Sequence, residues 1–567
     1  MNAAMVCFFG LIALFLGFRI FAKYLAEKVY QLDVHAPVPS HTMEDGMDYV
    51  PTNKFVLFGH HFATIAGAAP IIGPALAVIW GWVPALLWVV LGTIAWGGAH
   101  DFGALILSVR NKGKSIGEIA KGMIGQKAMT AYMIIVFFIL VLVMAVFLLV
   151  IAGLLIEYPE AVFPVLALMV IAMCIGMLIY RTPIGLTSAS VVGILFMILA
   201  IWWGSSHPYP MPQQTFLGSA KTTWIFLLAL YSFAASVLPV WLLLQPRDYL
   251  ESFNLYGGLI LVYLGIFVTA PDFVAPAVRT HVPGAPPMWP FLFITIACGA
   301  LSGFHSIVAS GTSPKQLNNE VDAKLVGYGG MVGEGSLALA AVVVCTTGFA
   351  SKELWMNHYA TWSGAAGLGQ KLSAFVDGAA YFISHFGISI QMCKTIIVLI
   401  VISFAMTSLD SACRLGRYIV SELAEQHQMP VLKNRFLSAG IVAGVSFLFA
   451  IGKYGGKPAG LVIWPLFGTT NQLLASLVFA MITVYLLQRK CPTWPTTIPM
   501  FFVSLTTITA MLWNIQMYIK DGNWILTLVG GIILAAGLYL LILSCKAYFR
   551  ERATVSAKKK ELSTVAQ

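Results

Sequence analysis

"GHHFATIAGAAP", residues 59–70, sets two adjacent histidines and then a run of small residues ending in proline inside a stretch that otherwise reads as membrane-spanning. An ionisable side chain is costly in lipid and faces a bundle interior or a water pathway. Glycine and proline interrupt the helical ladder and free amides and carbonyls that a polar cavity must receive. A second stretch, "HSIVASGTSP" at 305–314, repeats the spacing His-x5-Gly-x2-Pro, so that His61, Gly67 and Pro70 match His305, Gly311 and Pro314. By loop count the two helices run in opposite directions. Oppositely directed, interrupted helices are what an inverted-repeat transporter uses to expose backbone dipoles near the bilayer midplane. The plainer alternative is coincidence in a chain holding 51 Gly and 27 Pro, with one of His60 and His61 bonded only to a nearby carbonyl.

Composition sets the class. The 567 residues are 59% hydrophobic and 10% charged, with a mean hydropathy of +0.85; a soluble domain carries roughly 25% charged residues. The chain reads as an all-α polytopic membrane protein. Its formal charge of +10, from 33 basic and 23 acidic residues, collects in short loops and points to the cytoplasmic membrane face, not to nucleic acid. The eight cysteines are scattered singly, without the spacing of a metal site or disulfide framework, so no metal and no cofactor is expected.

Apolar stretches of about 20 residues fall near 3–22, 56–80, 82–108, 128–156, 161–180, 184–204, 222–243, 254–271, 289–312, 327–348, 392–412, 436–452, 461–487, 498–518 and 523–546, about 15 spans in all. The organisation expected is an anchor helix that stays in place at 1–28, a transporter core at 55–487 with broken helices near 59–77 and 302–314, an outer loop with a surface helix at 349–391, C-terminal helices at 498–548 and a cytoplasmic tail at 549–567. The basic loops (Arg110 to Lys127, Arg247, Arg414 to Arg435, Lys546 to the terminal lysines) share one side only if 371–389 does not cross. The N-terminus is then outside and the C-terminus cytoplasmic.

Several residues carry chemistry. His61, Thr64, Gly67, His305, Ser306, Ser310 and Thr312 lie in or beside the two matched stretches and are the candidate substrate-binding set. Half-helix N-termini beyond the breaks suit a carboxylate. "FAMTSLDSACRLGRY", 404–418, places Thr407, Ser408 and Asp410 where their oxygens suit a monovalent cation; helix-to-helix hydrogen bonding, with Asp410 pairing Arg414, is the alternative. His60 suits a proton, since histidine titrates near neutral pH. Glu334 is deep enough in its helix to be a coupling carboxylate. His100 and Asp101 either relay protons, close an inner gate or fix packing; Arg247 with Asp248 reads as a gating or structural ion pair in a cytoplasmic turn. Asn471 and Gln472 either bind an amide or carboxylate or hold helices together.

The three polar segments together resemble the leucine-transporter fold, with core helices one, six, seven and eight at 56–80, 289–313, 327–348 and 392–412 and two spans inserted before the second broken helix. "GHHFATIAGAAPIIGPALA", "HDFGALILSVRNKGKSIGEIA", "ASVLPVWLLLQPRDYL", "GFHSIVASGTSPKQL" and "WPLFGTTNQLLA" are more specifically similar to the carbon starvation protein A family of bacterial inner-membrane transporters, over nearly the whole chain. The resemblance implies symport of a small carbon nutrient, pyruvate or short peptides, with a cation during carbon starvation. A proton is the expected coupling ion, with sodium-coupled uptake of peptides or amino acids as the alternative. The partners implied are the substrate and the lipid bilayer. There is no phosphate-binding G-x-x-x-x-G-K-[ST] loop, no His-Glu-x-x-His and no G-x-S-x-G elbow, so an enzyme or an ATP-driven pump is not expected. A nutrient-sensing membrane protein would carry an output domain that the short loops do not supply, and a channel would conduct without saturating.

Overall fold

The computed structural model describes residues 2–565, with side chains described as far as Ala553 except at residue 124. Residues 566 and 567 of the expected tail, and the side chains of Lys558, Lys559 and Lys560, lie outside this description. The last helix runs on through Val565.

Each of the 15 expected stretches contains helix, and most are helical throughout. Twelve helices are long and apolar enough to cross a membrane, and a thirteenth span is the bent pair Lys54–Ala66 and Ala69–Trp80. Length and composition therefore support 12 to 13 of the 15 expected spans among the described residues. Arg435–Ile451 is shorter, and the stretch at 289–312 is broken into pieces of eight and nine residues. Leu368–Ser384, with 17 residues, is not among the spans. Among the described residues the strands amount to one hairpin, Lys453–Tyr454 against Lys457–Pro458.

Ile390–Gln426 is the axis of the bundle. It packs against Gln126–Glu157, Arg435–Ile451, Leu244–Thr269, Ala220–Val237 and Lys54–Ala66, and 94% of its apolar window is buried. Ala3–Val29, Leu186–Ser206 and Trp524–Ala553 bury only 28% and present the rest outward, as helices facing hydrocarbon do.

The first break falls at Gly67 and Ala68. Gly67 has φ +49°, a conformation that favours glycine, and a side chain there would meet Ser408 Oγ at 2.7 Å. Pro70 then opens the second half-helix, and the two halves differ in direction by 43°. The second break spans 296–302, between Met288–Thr295 and Gly303–Gly311. It lies before the 302–314 stretch expected from sequence. Gly311 and Pro314 end the second half-helix instead of breaking it, because Pro314 follows directly on its last turn. His61 therefore precedes its break, whereas His305 follows its own. Lys54–Ala66 packs beside Gly303–Gly311, and Ala69–Ala77 beside Met288–Thr295. First half against second half in both pairs means that the broken helices run antiparallel, the crossing an inverted repeat produces.

In lipid every freed backbone group needs a partner, and the second break shows where they come from. Trp88 Nε1 donates to Ile296 O (3.0 Å), Thr93 Oγ1 to Gly299 O (3.0 Å) and Gln472 Nε2 to Leu301 O (2.9 Å) and Phe293 O (3.2 Å). Glu334 Oε1 accepts from Gly299 N at 3.0 Å, and Asn471 Oδ1 from Phe304 N at 2.7 Å. Asn471 and Gln472 thus act on backbone. Replacing Asn471 by Ala leaves the Phe304 amide unpaired in a dry interior, which costs about 1–3 kcal/mol. A lower thermal midpoint is expected for the detergent-purified variant; a midpoint equal to that of the parent would contradict this role.

Candidate functional site

Two buried polar clusters hang from the broken helices. His60 and His61 are consecutive on Lys54–Ala66, so their side chains diverge by about 100° around the helix. Each reaches a different cluster or element, and both are fully buried.

His60 Nδ1 lies 2.6 Å from Asp248 Oδ2. Asp248 belongs to a group around the Arg247 guanidinium that also includes Glu251 and Asp410. Arg247 Nη2 donates to Asp248 Oδ1 at 2.8 Å and to Thr407 Oγ1 at 2.9 Å, and Nη1 bonds Asp410 Oδ2 and Tyr231 OH. Glu251 Oε1 is 3.6 Å from Arg247 Nε, and its Oε2 accepts from Thr407 Oγ1 at 2.7 Å. All of these carboxylates are at most 4% exposed. The sequence expectation of a cytoplasmic turn at Arg247 and Asp248 is corrected here. The helix begins at Leu244 and carries Pro246 in its first turn, where proline removes no needed donor, so both residues lie inside the bundle. Asp410 does not pair with Arg414 either. Arg414 Nη1 reaches Asp48 Oδ1 at 2.5 Å, as does Arg417 Nη2 to Asp48 Oδ2 at 2.9 Å. That pairing holds the Asp48 carboxyl well below the usual carboxylate range, the attraction of the two guanidinium groups outweighing the opposing effect of burial.

Glu251 is the residue that sequence reading missed. Its signal was present: it stands four residues after Arg247, an i, i+4 pair once the helix is seen to start at Leu244.

Ser408 Oγ donates to Thr64 O at 2.9 Å and closes the first break, while Thr64 Oγ1 lies 3.3 Å from Ser411 Oγ. The hydroxyl pair expected to receive a monovalent cation is therefore engaged, Thr407 by Arg247 and Ser408 by a freed backbone carbonyl.

The second cluster centres on His305. Its Nδ1 is 2.9 Å from Asp101 Oδ2, and the other oxygen of Asp101 lies 2.8 Å from His100 Nδ1. His305 Nε2 and Glu334 Oε2 are 3.3 Å apart, yet neither atom has a hydrogen bond of acceptable geometry. His61 Nδ1 lies 2.7 Å from Ser313 Oγ and ties the first half-helix to the end of the second broken helix. His61 Nε2 and Thr312 Oγ1 are buried without a partner. Ser306 and Ser310 turn their hydroxyls onto their own helix, at Gly303 O (2.6 Å) and Ser306 O (2.7 Å). The candidate substrate residues are all buried; His61 faces the other broken helix, whereas Thr64 faces Ser411 and Ser310 accepts from Ile116 N at 3.3 Å.

Comparison with known proteins fits this architecture. A family model described as "Carbon starvation protein CstA" matches residues 2–367 and 356–510. The chain is 34% identical over 556 residues to the peptide transporter CstA of Bacillus subtilis, covering 91% of each chain. It is 34% identical over 569 residues to the pyruvate/proton symporter BtsT of Escherichia coli, covering 87% of this chain and 79% of that one. A solved Na+-coupled sialic acid symporter aligns over 95% of this chain and 96% of its own with a TM-score of 0.38 and 12% identity, a level at which likeness carries no argument. The chain belongs to the carbon starvation protein CstA family and is a multi-span membrane transporter.

Proposed function

We propose that the protein imports a small monocarboxylate such as pyruvate, or short peptides, by symport with protons across the bacterial inner membrane. Residues 55–487 form the carrier core, and substrate lies between the breaks, against His61, Thr64, Gly67, His305, Ser306, Ser310 and Thr312. The relatives named as a pyruvate/proton symporter and as peptide transporters support this substrate range. Both substrate classes present a carboxylate, and the half-helix N-termini at Ala69 and Gly303 put partial positive charge beside the breaks. A peptide ammonium would need an anion of its own near the breaks. Asp101 and Glu334 are the carboxylates beside His305, and both are engaged there, which favours the monocarboxylate.

The observation that carries proton coupling is the Arg247 cluster. One guanidinium faces three buried carboxylates, Asp248, Glu251 and Asp410, so two negative charges are left for further positive charge to balance. Protons held among these carboxylates and on His60 supply it. A sodium ion on Thr407 would compete with Arg247 Nη2 for the acceptor lone pairs of Thr407 Oγ1. Coupling then passes from this cluster through His60 to the first broken helix. His100, Asp101 and Glu334 sit at the second and adjust its position.

Purified protein in liposomes is the test, with labelled pyruvate or labelled di- and tripeptides offered under an imposed pH or sodium gradient. Accumulation is expected when the outside is acidic, because the binding groups load protons there and release them to the alkaline interior. Accumulation driven by sodium at equal pH would overturn proton coupling, and uptake of peptides alone would overturn the monocarboxylate reading.

We also propose that the N-terminus is outside, the C-terminus is cytoplasmic and Leu368–Ser384 lies at the outer surface. Arg247, Arg414 and Arg417, three of the charges first counted toward this orientation, are buried; the basic loop around Lys112 and Lys114 carries the argument in their place. Tyr381 is 44% exposed, so a Tyr381→Cys variant should react with an impermeant maleimide on intact cells and a Lys112→Cys variant only after permeabilisation. The reverse pattern would invert the topology.

A further inference from the structure

The geometry points to a transition-metal site at the second break, formed by Cys298 Sγ, His305 Nε2 and Glu334 Oε2, that takes a divalent ion of the Zn2+ class. One donor atom from each of the three residues lies within 4.8 Å of those of the other two, and all three residues are buried. They come from three separate elements. Cys298 sits in the break itself, His305 in the first turn of the half-helix that follows, and Glu334 on Glu320–Thr347.

Three features separate this set from an ordinary buried polar contact. His305 Nδ1 is held by Asp101 at 2.9 Å, which turns Nε2 toward the other two donors; a carboxylate fixing the far nitrogen of a ligating histidine is the recurring outer-shell arrangement of metal sites. Asp101 is itself steadied by His100 at 2.8 Å. The two atoms left over, His305 Nε2 and Glu334 Oε2, are fully buried and face each other at 3.3 Å, an ion-pair distance without hydrogen-bond geometry. Neighbouring ligands on a tetrahedral ion are separated by about this distance, given metal bonds of roughly 2.0–2.3 Å. Glu334 Oε1 remains on Gly299 N at 3.0 Å, so the carboxylate can serve the ion with one oxygen and the break with the other.

Thiolate with imidazole selects a borderline-soft ion over sodium, magnesium or calcium. Binding would displace two protons to bulk solvent, the Cys298 thiol proton, now directed at Ser302 Oγ at 3.4 Å, and the Nε2 proton of the His305 imidazolium that faces Glu334. Three protein ligands leave a tetrahedral ion one open position. The singly scattered cysteines gave no sign of this, because the partners of Cys298 stand 7 and 36 positions further on and meet it only through the fold.

The full-length protein, purified with any histidine tag removed, is equilibrated with Zn2+, desalted and analysed for metal; the same is done with Co2+ for absorption spectra. About one equivalent per chain is expected. Cys298→Ser, His305→Ala and Glu334→Gln should each weaken binding roughly tenfold or more. Cys298→Ser should remove the near-ultraviolet thiolate-to-cobalt band, and monodispersity with an unchanged thermal midpoint of the metal-free variant shows that it has folded. No retained zinc in the parent protein would overturn the site and leave His305 as an imidazolium between Asp101 and Glu334. One equivalent that survives all three substitutions would overturn it equally, by placing the metal elsewhere. Neither readout depends on transport, so failure of the substrate or coupling proposal leaves this result intact.

Discussion

A helix can stop halfway across a bilayer only if other side chains replace the backbone hydrogen bonds it gives up. That requirement organises the centre of this protein. At the second break the replacements come from Trp88 and Thr93 on one neighbouring helix, Glu334 on another, and Asn471 and Gln472 on a third. At the first, Ser408 supplies it from the axis of the bundle. The elements that close the breaks are therefore the elements that must stay packed around them. A movement of a broken helix is felt by the elements that close its break.

The same economy governs charge. Buried ions persist when they are paired and hydrogen-bonded, and each broken helix carries a histidine into such a group. His60 joins the first to Asp248 and so to Arg247, Glu251 and Asp410, and His305 joins the second to Asp101 and Glu334. Because His60 and His61 are adjacent, a single peptide bond links the Arg247 cluster to Ser313 at the end of the other broken helix. Protonation at one end of this chain alters the charge balance of elements that contact the candidate substrate space at the other.

Much of this was legible in the sequence. Apolar length and low charge gave the long helices but not short polar ones such as Ile116–Ile124, and the Gly-Ala-Ala-Pro run located the first break to within a residue or two. The second was placed too late, because "HSIVASGTSP" shares residues with the first segment but not its role: Gly311 and Pro314 mark a helix end, and the true break at 296–302 is opened by Gly299, with φ +92°. Arg247 was misread for a similar reason. An Arg-Asp pair after proline has the pattern of a loop, and only packing against Ile390–Gln426 shows that it is the buried centre of a cluster. Glu251 and Cys298 acquire their meaning from partners far away in sequence, which spacing rules cannot reach.

The central claim is that the Arg247 cluster carries the coupling proton, and the direct measurement is proton movement during transport. In a weakly buffered suspension of liposomes, a pH electrode should record external alkalinisation when pyruvate is added to the parent protein. Glu251→Gln, which fixes that carboxyl in its neutral form, should abolish the alkalinisation while exchange of labelled for unlabelled pyruvate continues. An unchanged proton-to-pyruvate ratio in the variant would contradict the account.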